Sequence, residues 1–191
     1  MAKNIKKAIV QPLPVFMVGT YCEDGTPDVM NAAWAGQCGP ENVAITFALN
    51  RQTLKNIENN KEFTVAYATK DTLEIADYFG LVSASKTPDK VERTGVTVKK
   101  AENVNAPIVE EFPITLECEL MDMHQVVPDR CLVVGKVINA VVDDEFVDEE
   151  GNVDTEAIEF ISYDGNTKNY RVLGDVAGKA FNAELLKSGR F

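Results

Sequence analysis

The sequence predicts a mainly β fold, an antiparallel barrel with helical additions. Segments rich in β-branched and aromatic residues follow one another through the first fifty residues, separated by turn signals such as Asp24-Gly25. Helical patterns dominate the middle of the chain, and long apolar segments then return. Because the connecting loops are short, we expect neighbouring strands to pair antiparallel.

The first three strands are predicted over residues 15–22, 28–37 and 43–49. A short helix at 53–60 follows, with Thr53 suited to its N-cap and Leu54 and Ile57 on one face. A strand at 62–69 precedes a second helix at 72–84 and a helical turn at 88–93, which Gly95 ends. The middle of the chain is therefore helical between strands.

The last third returns to β structure. Two long strands are predicted over 114–127 and 131–142, and two short ones over 160–163 and 170–173. The acidic segment 143–154 lacks the ligand pattern of an EF-hand and is predicted to be a surface loop. Residues 182–191 are predicted to form a helical tail.

Charge and composition exclude several classes of function. The chain has 191 residues, 45% hydrophobic and 26% charged, which predicts one globular domain over 1–191. Its 19 Lys and Arg against 30 Asp and Glu give a net charge of −11. That balance argues against nucleic acid and anionic membrane surfaces as partners. A small phosphate ligand remains compatible, because local cations and backbone N–H groups can hold it.

Other motifs are missing from the sequence. Pro12 and Pro14 interrupt any signal-peptide core, and no apolar run is long enough for a membrane span, so we expect a cytoplasmic protein. The four cysteines form no CxxC pair and are expected to be buried free thiols. His124 is the only histidine, and no GxSxG or GxGxxG run occurs. No catalytic group and no metal site are predicted.

Two local clusters suggest a ligand site. Small residues around Trp34, in residues 31–38, would let a flat ligand approach the strand backbone. The alternative is a tightly packed strand with a core tryptophan. Asn50, Arg51 and Thr53 lie where a strand meets a helix, and free N–H groups with an arginine suit a phosphate there. The alternative is a simple helix cap with a solvated arginine.

A third cluster, residues 83–90, places hydroxyls beside Lys86 and suggests a further part of an anion site. The alternative is a polar loop between helices. Taken in order, the three clusters and the segments E62-F63-T64-V65, S85-K86-T87-P88-D89-K90 and R130-C131-L132-V133-V134-G135-K136-V137 carry a family resemblance. The chain resembles the flavin reductase-like, FMN-binding split-barrel family, and within it the flavoredoxin-like members. The resemblance covers residues 8–182.

The resemblance implies a six-stranded antiparallel split barrel that works as a homodimer, with FMN in a groove near the dimer interface. Residues 31–34 would line the isoalloxazine ring, largely through backbone groups. Residues 50–53 and 85–86 would hold the phosphate end, and Tyr170 would lie at the ring edge, from either protomer. The cofactor-binding residues implied in this way are Asn31, Ala32, Ala33, Trp34, Asn50, Arg51, Thr53, Ser85, Lys86 and Tyr170.

One position departs from the resemblance. Members of the family often carry Asp-His before the long apolar strand, and this chain has Asp129-Arg130. Arg130 is therefore either a surface charge or a group that receives an acidic partner or a phosphate. The departure bears on NAD(P)H oxidation and not on FMN binding.

The function expected from the resemblance is electron transfer through FMN, from NAD(P)H to an acceptor. One alternative is a flavoredoxin-type electron carrier with a redox partner protein, whose basic surface the net charge would attract. Another is a flavin-binding module without turnover, and a third is a plain β-barrel without a cofactor. No acid, base or nucleophile of the protein is needed, because the cofactor supplies the redox chemistry.

Overall fold

The computed structural model describes residues 2–181 and contains, within them, twelve strands and two α-helices. The strands are β1 (Leu13–Pro14), β2 (Phe16–Tyr21), β3 (Pro27–Ala32), β4 (Ala35–Gly39), β5 (Asn42–Ala48), β6 (Glu62–Tyr67), β7 (Val98–Lys100), β8 (Pro107–Val109), β9 (Ile114–Val127), β10 (Arg130–Val142), β11 (Ile161–Asp164) and β12 (Asn169–Val172). The helices are α1 (Gln52–Asn60) and α2 (Leu73–Leu81), and short 3₁₀ turns span Glu92–Thr94 and Asp144–Phe146.

One antiparallel sheet of seven strands forms the barrel, in the order β3-β2-β6-β9-β10-β5-β4. The prediction of a mainly β split barrel with helical additions is confirmed, with seven strands in this sheet instead of six. The extra strand is β4, which pairs with β5. A three-stranded sheet β1-β11-β12 and a two-stranded sheet β7-β8 complete the described part of the chain.

The prediction of a single strand over residues 28–37 is wrong. The segment divides into β3, which pairs with β2, and β4, which pairs with β5, and these two strands are the opposite edges of the seven-stranded sheet. The three peptide units from Ala32 to Ala35 span at most about 11 Å, so the two edges must meet there. The amide of Thr46 in β5 donates to the Trp34 carbonyl across 2.8 Å. We call this junction, residues 33–34, the seam of the barrel.

Alternating side chains divide the buried residues between two clusters. Phe16 and Val18 of β2 face the barrel interior, whereas Val15 and Met17 face the other side of the sheet. α1 packs Leu54 and Ile57 into the interior cluster. On the other side, α2 packs Ala76 and Phe79. Each helix thus covers a different cluster, and α1 closes the interior beside the seam.

The helices agree with the prediction in position and differ at their ends. Arg51, in extended conformation, is the N-cap of α1, and Thr53 lies inside the first turn with a buried side chain. The predicted Thr53 cap is therefore wrong, and its hydroxyl has another partner described below. α2 ends at Leu81, before Val82 in extended conformation. The helical turn near residues 88–93 is confirmed, and Gly95 ends it in the left-handed region with φ +73°.

The cysteine thiols differ in exposure. Cys118 and Cys131 are buried, Cys22 is half-buried and Cys38 is exposed, so burial is confirmed for two of the four. Burial raises the pKa of the Cys118 thiol to about 12, which makes it unreactive near neutral pH. The predicted helical tail at 182–191 lies outside the described residues. Neither described helix has the length and apolar character that a membrane crossing requires.

Candidate functional site

A cleft of about 220 Å³ opens at the seam of the barrel. It lies between the end of β3, the end of β5 and the start of α1, with the first residue of β10 on one side. The residues that line it are Met30, Asn31, Ala32, Ala33, Trp34, Thr46, Phe47, Ala48, Arg51 and Arg130. The cleft therefore unites two of the clusters that the sequence singled out.

Trp34 is the exposed aromatic surface of the cleft. It keeps 56% of its surface accessible, so the alternative of a core tryptophan is excluded. The Arg130 guanidinium carbon lies 5.2 Å from the centre of its ring, within the range of a cation–π contact. An exposed tryptophan beside small residues such as Ala32 and Ala33 offers a flat apolar wall to a ring-shaped ligand.

Arg51 and the first turn of α1 form the cationic end of the cleft. No side chain caps this helix and no acidic residue lies in its first turn, so its leading N–H groups keep their positive field. The half-buried Arg51 side chain has no ion-pair partner among residues 2–181. An unpaired arginine at a bare helix N-terminus fits a phosphate group.

A small cavity of about 10 Å³ adjoins the cleft and shares Met30 and Arg51 with it. Its other lining residues come from β3, the first turn of α1 and the loop after α2: Asp28, Gln52, Thr53, Val82, Ser83, Ala84 and Lys90. The third cluster of the sequence therefore reaches the site, through residues other than those expected.

A buried ion pair supports this wall. The Lys90 Nζ lies 2.7 Å from Asp28 Oδ1, with side chains only 2% and 1% exposed. The Thr53 hydroxyl donates to Asp28 Oδ2 across 2.5 Å, and Lys90 also donates to the Val82 carbonyl. These contacts join β3, α1 and the loop after α2. The sequence analysis missed Asp28 and Lys90; the available signals were a carboxylate within a predicted strand and a lysine that closes the third cluster.

Asn31 and Tyr170 hold α2 against the site. The Asn31 side-chain amide donates to the Ala76 carbonyl at 3.0 Å, and the Tyr170 hydroxyl donates to Asp77 Oδ1 at 2.8 Å. Burial raises the pKa of the Tyr170 phenol to about 12, and the bond to Asp77 adds to the shift. Both polar groups are thus engaged within one chain, and the phenol remains protonated near neutral pH.

The remaining predicted residues lie farther out. Asn50, Ser85 and Lys86 are exposed and line neither the cleft nor the small cavity. Ser85 is connected to the site only through Ser83, whose Oγ lies 2.9 Å from the Ser85 Oγ. The structure brings together Asn31, Ala32, Ala33, Trp34 and Arg51 in the cleft, and places Thr53 in the adjoining cavity.

Two larger cavities lie near the cleft. One of about 660 Å³ is bounded by the N-terminal segment 7–11 and shares Trp34 with the cleft. The other, of about 420 Å³, is mostly apolar and shares Ala35 with the first. These three cavities, which we call the groove, are linked by shared wall residues and reach from Arg51 past Trp34 to Leu173. Their cationic end at Arg51 and their apolar walls suit a molecule with an anionic end and an apolar, flat remainder.

Comparisons with known proteins find a matching family and similar folds. The family model of the flavin reductase like domain matches residues 11–160. The flavoredoxin of Desulfovibrio vulgaris (Miyazaki F) is 28% identical, with a TM-score of 0.89 over 96% of this chain and 100% of that one. The flavoredoxin from Methanosarcina acetivorans is 23% identical, with a TM-score of 0.85 over 96% of both chains.

A third similar structure is an FMN-binding protein from Thermus thermophilus. It is 17% identical, with a TM-score of 0.75 over 94% of this chain and 99% of that one, and so shares the fold. The family model covers most of the chain, from the strand before β2 to the bridge before β11. The chain therefore belongs to the flavin reductase-like domain family, as a flavoredoxin-like member with the split-barrel fold of flavin-binding redox proteins.

Proposed function

We propose that this protein binds FMN in the cleft at the seam and serves as an NAD(P)H-dependent flavin reductase or a closely related electron-transfer protein. FMN supplies the redox chemistry when bound, and the protein supplies position and electrostatics. The observation that carries the proposal is Arg51, a half-buried cation without an ion-pair partner in the described part of the chain, at the uncapped start of α1. In a protein of net charge −11, such a local positive site points to an anionic ligand.

The proposed roles follow the position of each group. Arg51 and the first N–H groups of α1 hold the phosphate. Ala32, Ala33 and Trp34 face the ring, with Asn31 fixing the end of β3 through its bond to α2.

Residues at the margin have smaller proposed roles. Thr53 contributes through its backbone N–H, because its hydroxyl donates to Asp28. Asn50, Ser85 and Lys86 complete the phosphate end from the exposed side. Tyr170 acts on the site indirectly: its hydroxyl donates to Asp77 and so holds α2 in place.

The proposal is tested by the affinity for FMN of the variant Arg51→Ala. Losing a charge-assisted hydrogen bond to a phosphate costs about 1.5–3 kcal/mol, so we expect Kd to rise about 10- to 100-fold in a flavin fluorescence titration. Lys55→Ala is the matched control, because Lys55 is an exposed cation on the same helix that does not line the cleft. Equal affinities of the three proteins would remove Arg51 from the site.

The electron donor is tested separately. Purified protein loaded with FMN is mixed with NADH or NADPH without oxygen, and the visible flavin absorbance is followed. Bleaching supports the reductase. A spectrum that persists with either nucleotide, but bleaches with a reduced protein donor, supports the electron carrier. The similarity to a flavoredoxin at 28% identity favours this alternative. Bleaching with neither would leave a flavin-binding module.

We also propose that the protein is a homodimer whose second copy covers the groove beside Trp34. Apolar side chains around the two larger cavities are exposed without a cover, among them Ile9 at 54% and Leu173 at 54%. Contiguous apolar surface of this kind marks an interaction site.

A further inference from the structure

Arg130 lies at the open side of the cleft, over the only tryptophan of the chain. It begins β10 and is paired in register with Ala48, the last residue of β5, whose carbonyl accepts from the Arg51 amide. Arg51 and Arg130 therefore reach one cleft of about 220 Å³ from neighbouring elements. Two guanidinium groups in one small cleft are notable in a protein of net charge −11.

The position of the Arg130 guanidinium is fixed from two sides. One terminal nitrogen donates to the Asp129 carboxylate and, at 3.0 Å, to the Asp129 carbonyl. The Trp34 ring lies against the group at 5.2 Å. The Arg130 side chain is only 27% exposed, whereas that of Asp129 is 72% exposed. Arg130 is thus packed into the cleft mouth, and the carboxylate lies outside it.

The remaining N–H groups of Arg130 are open to a ligand. All side-chain hydrogen bonds of Arg130 to residues 2–181 use the same terminal nitrogen, Nη1. The other terminal nitrogen and Nε can donate together to two oxygens, which is the geometry that phosphate and carboxylate groups accept. An anion at this position would lie beside the exposed ring of Trp34.

We propose that Arg130 is a second anion-binding position, which holds the phosphate or carboxylate of the molecule that exchanges electrons with the cofactor. The inference rests on the proposed function, because it assigns the cofactor phosphate to Arg51. Arg130 then determines specificity: it favours small anionic redox substrates over neutral or cationic ones. The overall charge of −11 repels anions at a distance, so a contact at short range is required to bind them.

The phosphate that Arg130 binds has two conceivable sources, the cofactor itself and a second molecule. The second molecule is favoured, because the proposed function already assigns the cofactor phosphate to Arg51 and the α1 N-terminus. Asp129 neutralises part of the Arg130 charge. We therefore expect the loss of the Arg130 guanidinium to weaken anion binding by only about tenfold.

The first experiment is a calorimetric titration of the FMN-loaded protein with inorganic pyrophosphate. We expect Arg130→Gln to weaken pyrophosphate binding about tenfold, since glutamine keeps a planar group over Trp34 without the charge. Lys136→Gln is the matched control: it removes one exposed cation from the same strand, outside the cleft, and should change the affinity less than twofold. Arg130→Gln with wild-type affinity would overturn the proposal.

The second experiment uses tryptophan fluorescence, which comes from Trp34 alone because the chain has one tryptophan, and Arg130 lies against that ring. Without FMN, pyrophosphate should shift the emission of the wild type and of Arg51→Gln, and should leave that of Arg130→Gln nearly unchanged. An emission shift that disappears in Arg51→Gln and persists in Arg130→Gln would place the anion at Arg51 and overturn the proposal.

FMN affinity separates this inference from the function on which it rests. We expect Arg130→Gln to bind FMN within about threefold of the wild type. If it lost FMN as strongly as Arg51→Ala, Arg130 would belong to the cofactor site, and the inference would fail while the proposed function stood. If the wild type bound no FMN at all, the proposed function would fail, together with the assignment of the Arg130 anion to a redox substrate.

Discussion

Asp28 and Lys90 are the two charged side chains most completely removed from solvent near the cleft. Desolvating two charges is costly, and their contact together with the Thr53 hydroxyl compensates for that cost. The pair therefore adds little net stability over an apolar pair, yet neither charge tolerates the loss of the other. Because the pair joins β3, α1 and the loop after α2, it fixes the wall behind Arg51.

We expect Lys90→Met to lower the free energy of unfolding by about 3 kcal/mol, because the buried Asp28 carboxylate then keeps the Thr53 hydroxyl but loses its only cationic partner among residues 2–181. Lys86→Met, an exposed change in the same loop, should stay within about 0.5 kcal/mol of the wild type. Urea unfolding followed by circular dichroism measures both. The double variant Asp28→Asn/Lys90→Met should recover part of the loss; no recovery would show that an unpaired charge is not the cause.

For single residues, the sequence predicts a role in the site where that role depends on neighbours close along the chain. Trp34 among small residues and Arg51 before a helix were both predicted near a ligand, and both line the cleft. The Asp28–Lys90 pair was missed because its two members are far apart in the sequence. The sequence predicts Lys86 as a site residue because it stands beside hydroxyls and matches the family resemblance, but the turn at 83–87 leaves its side chain exposed.

The strands that carry the barrel interior meet closely at Gly135. A Cβ atom built on Gly135 of β10 would lie 2.4 Å from Phe63 Cζ, and Phe63 in β6 is fully buried. The ladder between β9 and β10 is also irregular between Val134 and Gly135. The absence of a side chain at Gly135 leaves room for the Phe63 ring in the barrel interior.

We expect Gly135→Ala to destabilise the protein by about 1–3 kcal/mol, because the ring or the strand must shift to admit a methyl group. Gly36→Ala, on β4 with open space around its Cβ position, is the control and should cost nothing measurable. Thermal unfolding compares them. A Gly135→Ala variant as stable as the wild type would mean that the core repacks freely around Phe63.

Local patterns predicted most of the elements, including both helices and the long hairpin of β9 and β10. They failed at the seam, where the segment 28–37 reads as one strand although its halves belong to opposite sheet edges. Each half has the pattern of a strand, and only the closure of the whole sheet separates them. The β7-β8 pair was likewise missed, since strands of three residues carry little periodicity.

At the scale of the whole molecule, the exposed apolar groove argues for a second copy. We expect the wild type to be a dimer by light scattering. Ile9→Asp and Leu173→Asp should shift it toward monomer, because each places a charge on apolar surface at the groove. Leu81→Asp is the control: Leu81 is 78% exposed on α2 and lines neither cavity. A monomeric wild type would contradict the homodimer.

The seam also couples ligand binding to closure of the barrel. The cleft is lined by the end of β3, at one edge of the sheet, and by β5, the neighbour of the other edge strand, so a molecule bound there contacts both sides of the closure and favours the closed barrel over any state in which they separate. By reciprocity, whatever separates the edges weakens binding. Affinity for a ligand in the cleft is therefore coupled to closure of the barrel, and we expect a bound ligand to slow the solvent exchange of the Thr46 amide proton, which bonds to the Trp34 carbonyl across the seam.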